Sequence, residues 1–370
     1  MIGAEKENVL IQAGGCVLTI LPKLGGKIAS IRVNERELLQ APLAPYGERT
    51  RTMSFDAGDA SGWDECLPSV AACTVETAPG PAAVPDHGDL WRVAWQEIAK
   101  NAHSATFRGE CFSLPLVLER TVTLTEIEKG WEVRLDYTVT NTGSYPAPWS
   151  WAAHPLFTAE AGDRIVLPDS IRTLRLEGSG GGRLGKGGDK VSWPIATLVN
   201  GSKTDLSVGQ PPSSGIGDKL FAGPLSAIEN WCALERPQAG VRIRVRFDPA
   251  ATPYLGLWIC YGGWPDRPGT KQVCVALEPA TAPVDSLAKT GRWSRVLAAG
   301  ESARPTVLGD SIFWRSRREE FERLTTGEYS LLWSTRPPMS LGGTPLASHW
   351  SWWHCPDESL KARLSAIALK

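Results

Sequence analysis

Two runs of strict two-residue alternation constrain this chain more than any other feature. Trp131, Val133, Leu135, Tyr137 and Val139 alternate with Glu132, Arg134, Asp136, Thr138 and Thr140. Val241, Ile243, Val245 and Phe247 alternate in the same way with Arg242, Arg244, Arg246 and Asp248. Successive side chains of a strand point to opposite faces, so both runs predict half-buried strands with one charged, solvated face. That pattern belongs to antiparallel sheet. Asn141-Thr142-Gly143-Ser144 and Gly262-Gly263 punctuate the strands as turns. No convincing amphipathic helix precedes about residue 312. The 370 residues suffice to bury a sizeable core. The expectation is an all-β fold: a large antiparallel β-sandwich over 1–312 and an irregular, partly helical extension over 313–370. In that extension Ser316 to Leu324 suggests a short charged helix. Leu360, Leu364 and Ile367 recur at helical spacing behind Asp357, a candidate cap. Trp350, Trp352 and Trp353 fall in the irregular stretch between them.

A net charge of −1 offers no basic footprint for nucleic acid. The charged N-terminal segment has no secretory apolar core, and no apolar run reaches membrane-spanning length, so a cytoplasmic location without a membrane partner is expected. The eight cysteines form no C-x-x-C pair and several sit in apolar strand patterns, as reduced thiols acting as small hydrophobes would. Gly180, Gly185 and Lys186 approximate a phosphate-binding G-x-x-x-x-G-K. However, Gly187 stands where a hydroxyl should hold magnesium and no helix pattern follows, so a surface loop is expected.

Chemistry is signalled at the ends of two apolar runs. His154 ends Trp149-Ser150-Trp151-Ala152-Ala153-His154-Pro155, and Glu278 ends Val273-Cys274-Val275-Ala276-Leu277-Glu278-Pro279. Burying such a glutamate without a task would be costly. His87, in the turn-forming Pro85-Asp86-His87-Gly88-Asp89-Leu90-Trp91, adds a second imidazole. Tryptophan is abundant, at sixteen, and its flat face with one donor suits the C–H face of a pyranose. Most tryptophans should fill the core, leaving roughly two to four near a ligand. A carboxylate, two imidazoles and tryptophans together suggest acid–base chemistry on a sugar.

These blocks resemble, in order, those of the aldose 1-epimerase (galactose mutarotase-like) superfamily, over about residues 8–310. Leu21-Pro22-Lys23-Leu24-Gly25-Gly26-Lys27-Ile28 is similar to the opening strand pair with its glycine turn. Gly62-Trp63-Asp64-Glu65-Cys66-Leu67-Pro68, followed by the His87 block, resembles a bacterial epimerase-like branch. The His154 and Glu278 blocks resemble the central histidine and catalytic glutamate segments, and Gly300-Glu301 the closing turn. The resemblance implies a β-supersandwich that interconverts sugar anomers without a metal or organic cofactor. Glu278 would be the base, His154 the acid and His87 the second histidine. Asp218, in Gly217-Asp218-Lys219-Leu220-Phe221, resembles the sugar-binding aspartate, with Lys219 beside it; Trp63, Asp64, Glu65 and Trp91 complete the expected substrate contacts. Arg49 and Arg51 lie near the place of the family's substrate arginine, in a different surrounding motif. The partner is expected to be a small-molecule sugar, the protein a monomer or homodimer.

Anomer exchange opens a cyclic hemiacetal. A base takes the C1 hydroxyl proton while an acid protonates the ring oxygen, and ordinary pKa values would leave Glu278 ionised and His154 able to donate near or slightly below neutrality. Three other readings compete. A carbohydrate-binding or sensor module would keep the tryptophans without needing an acid and a base. A glycoside hydrolase or lyase would need two flanking carboxylates, for which Asp64 or Glu65 with Glu278 is the available pair. His87, His154 and Glu278 could also be zinc ligands by type, although they lack the H-x-x-x-H spacing.

Overall fold

The computed structural model describes residues 8–314. The 313–370 extension expected from sequence therefore lies, past its first two residues, outside the described residues. Within them the chain is built of strands joined by turns, with single turns of 3₁₀ helix as its helical elements.

The alternating runs fold as their period requires. Leu116–Ile127 and Gly130–Asn141 form a long hairpin, twelve residues on each side, paired from Leu116 opposite Asn141 to Ile127 opposite Gly130. Trp131, Val133, Leu135, Tyr137 and Val139 are buried, while the residues between them face outward. Val241–Phe247 repeats the pattern residue by residue. These strands belong to a 9-stranded antiparallel sheet, which Thr306–Trp314 joins between Val241–Phe247 and Gly130–Asn141.

A second, 11-stranded sheet carries the segments singled out for chemistry. Its central neighbours run Trp63–Cys66, Ala152–Thr158, Val273–Ala280, Tyr254–Tyr261 and Ile216–Ala222. One face of these strands sends Phe157, Leu277, Leu257 and Leu220 into a large apolar cluster that also takes Phe107, Leu118 and Leu135 from the 9-stranded sheet. Burying each such side chain contributes on the order of 1.5–3 kcal/mol. The opposite face carries a smaller buried cluster of Leu156, Cys260, Cys274 and Ala276, against which Trp258 and Trp264 pack. Val273–Ala280 is therefore buried along nearly its whole length and shows no alternation.

The expected opening strand pair is present. Cys16–Leu21 and Lys27–Val33 are joined through a 3₁₀ turn at Pro22–Leu24, with Gly25 and Gly26 at φ of 79° and 61°. A Cβ on Gly25 would meet the Trp91 backbone at 2.5 Å, so both the left-handed conformation and the close approach select glycine. Gly180–Gly182 is a 3₁₀ turn followed by the strand Lys190–Ser192, in keeping with a loop rather than a phosphate cradle. The seven described cysteines are free. Among the described residues no helix is long and apolar enough to cross a membrane.

Candidate active site

Strand register assembles the site. Asp64 pairs with His154, and the pairs Ala152–Ala280 and Leu156–Ala276 set His154 opposite Glu278. Glu278 pairs with Gly256, and Gly256 with Phe221. Five neighbouring strands thus contribute one cross-strand row: Asp64, His154, Glu278, Gly256 and Phe221. Lys219 lies two residues from Phe221 and so shares its face.

Gly256 is the gap in that row. With no side chain there, Lys219 reaches across the intervening strand and its Nζ donates to Glu278 Oε2. A Cβ at position 256 would lie 3.0 Å from that same oxygen and 3.1 Å from the Phe221 ring. The ammonium also stands 3.7 Å from Asp285 Oδ1. On its other side Glu278 presents Oε1, without a hydrogen-bond partner, 3.9 Å from His154 Nε2. His154 Nδ1 is likewise unpartnered.

Beside these groups lies a cavity of about 150 Å³ whose lining includes His154, His87, Lys219, Asp285, Trp258 and Trp264. Gln272 fixes one of these rings, its Oε1 accepting from Trp258 Nε1 at 3.0 Å. His87 enters from a loop, at φ 57°, and stacks on Phe55 with ring centroids 3.8 Å apart. Its Nδ1 meets Asp86 Oδ2 at 2.7 Å, and its ring lies 5.2 Å from that of His154. Arg92 clamps the loop by donating to the Asp86 and Gly88 carbonyls. Glu278 is fully buried and does not itself line the cavity; it meets it through Lys219 and His154, which do.

Burial dominates the proton chemistry. It pushes the Glu278 carboxyl above the usual carboxylate range, against the pull of Lys219. It works against charge on Lys219 too, but Asp285 and Glu278 outweigh it and hold the ammonium above its ordinary range. Burial, then the proximity of His87, Lys219 and Lys27, drives the His154 imidazole well below 6.5. His154 is therefore neutral at pH 7, which departs from the sequence expectation that it sits near its ordinary pKa.

No protein-family profile and no curated protein sequence matches the chain. Solved structures do match. A galactose mutarotase-like protein from Lactobacillus casei superposes with a TM-score of 0.58 at 17% identity, covering 83% of this chain and 100% of its own. The chain has the galactose mutarotase-like fold. A galactose mutarotase related enzyme from Lactobacillus acidophilus gives 0.57 at 14% identity over 84% and 97% of the two chains. An Escherichia coli K12 protein provisionally named aldose 1-epimerase gives 0.58 at 18% identity over 83% and 99%.

On this mutarotase-like fold His154, His87, Glu278 and Lys219 come together. The other residues assigned to substrate from sequence occupy different places. Trp63 and Glu65 flank Asp64 on one strand, so the pleat turns them into the inter-sheet core. The Trp63 ring packs edge-on to Phe157 at 6.3 Å. Glu65 accepts from Arg120, Tyr137 and Trp151, and burial pushes its carboxyl up to about 7. Asp64 faces the same side as His154 but is engaged by buried Lys27, alongside the Asp59–Arg49 pair. Asp218 points away from Lys219, as adjacent strand residues must, and is held by Ser179 and Arg183. Trp91, 1% exposed, stands behind Phe55 with Arg49 5.1 Å over its ring, so it backs the wall instead of lining the cavity. Arg51 stacks over Phe112. The glycosidase pairing of Glu278 with Asp64 or Glu65 thus loses its geometry, because both partners are committed elsewhere. Among the described residues no three His, Cys, Asp or Glu side chains converge as a metal site.

Sequence reasoning missed Phe55, Asp285, Lys27, Asp59, Trp258, Trp264 and Gln272. Phe55, Asp285 and Asp59 carry no local pattern, Lys27 lies in the 21–28 block with no site role assigned to it, and the two tryptophans belong to the expected minority near a ligand without being singled out.

Proposed function

We propose that the protein interconverts the α and β anomers of a sugar by acid–base opening of the ring. The observation that carries this is Glu278: a buried carboxylate with one oxygen held by Lys219 and the other free beside His154, two residues that line a cavity also lined by Trp258 and Trp264. The free oxygen takes the C1 hydroxyl proton, the O–H electron pair forms the C1 carbonyl, and the C1–O5 bond breaks toward a protonated ring oxygen. His154, neutral, and His87 hydrogen-bond substrate oxygens, while Trp258 and Trp264 offer apolar faces to the ring. Rotation about C1–C2 and closure on the other carbonyl face complete the exchange. The mutarotase-like fold and the name of the Escherichia coli neighbour support the reading.

The test is anomer-exchange NMR over free, phosphorylated and acidic sugars, corrected for the spontaneous rate. Acceleration of at least one sugar is expected; none across the panel would overturn the reading. The complete burial of Glu278 favours one alternative, a sugar-binding module without turnover. That alternative predicts saturable binding with exchange at the spontaneous rate.

Gly256→Ala gives a second measurement. The new Cβ presses on Glu278 Oε2 and Phe221 at backbone angles any residue tolerates. A misplacement of about 1 Å can cost on the order of 10²-fold, so exchange should fall at least about tenfold with a far-ultraviolet circular dichroism spectrum unchanged. A full-rate alanine variant would show that the gap at 256 is not needed for the Glu278 geometry.

A further inference from the structure

We propose that Lys219 is the proton donor to the ring oxygen, paired with Glu278 as the base. This rests on the anomer-exchange reading. Lys219 lies on Ile216–Ala222, lines the cavity, and crosses the Gly256 gap to touch the base itself. Its ammonium has three donors; Glu278 takes one and Asp285 lies within reach of a second, leaving capacity for a substrate oxygen. The charged and titratable groups around it are Glu278 from Val273–Ala280, Asp285 from the loop beyond, Cys66 from Trp63–Cys66 and His154 from Ala152–Thr158, with His87 and Asp86 lining the same cavity from their loop. Burial raises the Cys66 thiol well up, so it stays neutral. His154 is neutral as well, and of the basic side chains that line the cavity Lys219 is the one that donates to Glu278.

The proton balance closes without a co-reactant. On opening, Glu278 Oε1 gains the C1 hydroxyl proton, C1–O5 breaks with its electron pair going to O5, and O5 takes a proton from Nζ. On closing, O5 attacks C1 and returns its proton to the Lys219 amine, while the carbonyl oxygen recovers the proton from Glu278. Contact with the base also answers why so strongly held a proton can leave. Lys219 keeps it at rest because Asp285 and Glu278 are negative; once Glu278 is protonated its share is lost and only Asp285 remains, so the ammonium becomes a better acid as the base does its work.

A donor must be protonated, so rate is lost as pH rises through its pKa. Wild-type exchange should rise with pH through the elevated Glu278 pKa and then hold to beyond about pH 9, since an ordinary lysine titrates near 10.4. A rate falling tenfold per unit above about pH 6.5 would assign the proton to histidine and overturn the proposal. Lys219→Arg keeps the charge but cannot release a proton in this range. Its exchange should drop at least about 10²-fold with sugar binding retained; a rate near wild type would mean that Lys219 acts by charge alone. Lys219→Ala separates the remaining role. If lysine merely keeps Glu278 ionised, raising the pH restores the rate and sinks the proposal. If it donates the proton, pH does not restore it but added ethylammonium does. Wild-type protein that exchanges no sugar overturns the function itself, and this assignment with it.

Discussion

Glu278→Gln is expected to slow anomer exchange at least about 10²-fold, up to about 10⁴-fold. The amide preserves the volume of the side chain and still offers Lys219 an oxygen, but it cannot take the C1 hydroxyl proton. The loss should appear in kcat more than in KM, because the missing interaction is made only in the transition state. Sugar binding by titration and an unchanged circular dichroism spectrum would show that the site is otherwise intact. A folded glutamine variant exchanging within a few-fold of wild type would remove Glu278 from the mechanism.

The second large effect is on stability, in the core behind the site. Arg120 and Glu65 are both fully buried, their contact at 3.1 Å, and Glu65 also accepts from Tyr137 at 2.8 Å and Trp151 at 3.1 Å. Glu65→Leu leaves the fully buried guanidinium without its counter-charge, at a cost of about 3–5 kcal/mol. Urea unfolding at pH 8, where the wild-type carboxyl is ionised, should show it directly. The double variant Glu65→Leu, Arg120→Met removes both charges and should recover more than half of the loss, since a buried pair can be replaced by apolar groups at little net cost. A single variant within about 1 kcal/mol of wild type would mean that Arg120 finds another partner or reaches water.

What the sequence made legible follows from which faces of each strand meet water. Gly130–Asn141 and Val241–Phe247 are solvated on one side, so their alternation announced both strand and orientation. Val273–Ala280 is covered on both sides and has no period; Glu278 was found instead because an ionisable group ends an apolar run. The same reasoning overreached at Trp63-Asp64-Glu65 and Asp218-Lys219. A short motif was read as a unit, while a strand deals consecutive residues to opposite faces. Knowing which parity faces the cavity requires the pairing of Asp64 with His154 and of Phe221 with Gly256, which only the folded sheet supplies. Phe55 and Asp285 enter from loops, where no periodicity marks them.

The Lys27, Arg49, Asp59 and Asp64 set holds two charges of each sign, every member nearly closed to solvent. This has a bearing on how such a sequence can change over generations. Losing any one member strands a charge, at about 3–5 kcal/mol out of the 5–15 kcal/mol that holds a typical domain together. A lineage drifting through these positions one substitution at a time would pass through poorly folded intermediates. Replacements should therefore arrive as matched couples, a lysine and an aspartate disappearing together. In a set of descendants these four positions should covary tightly, even though none of them lines the cavity.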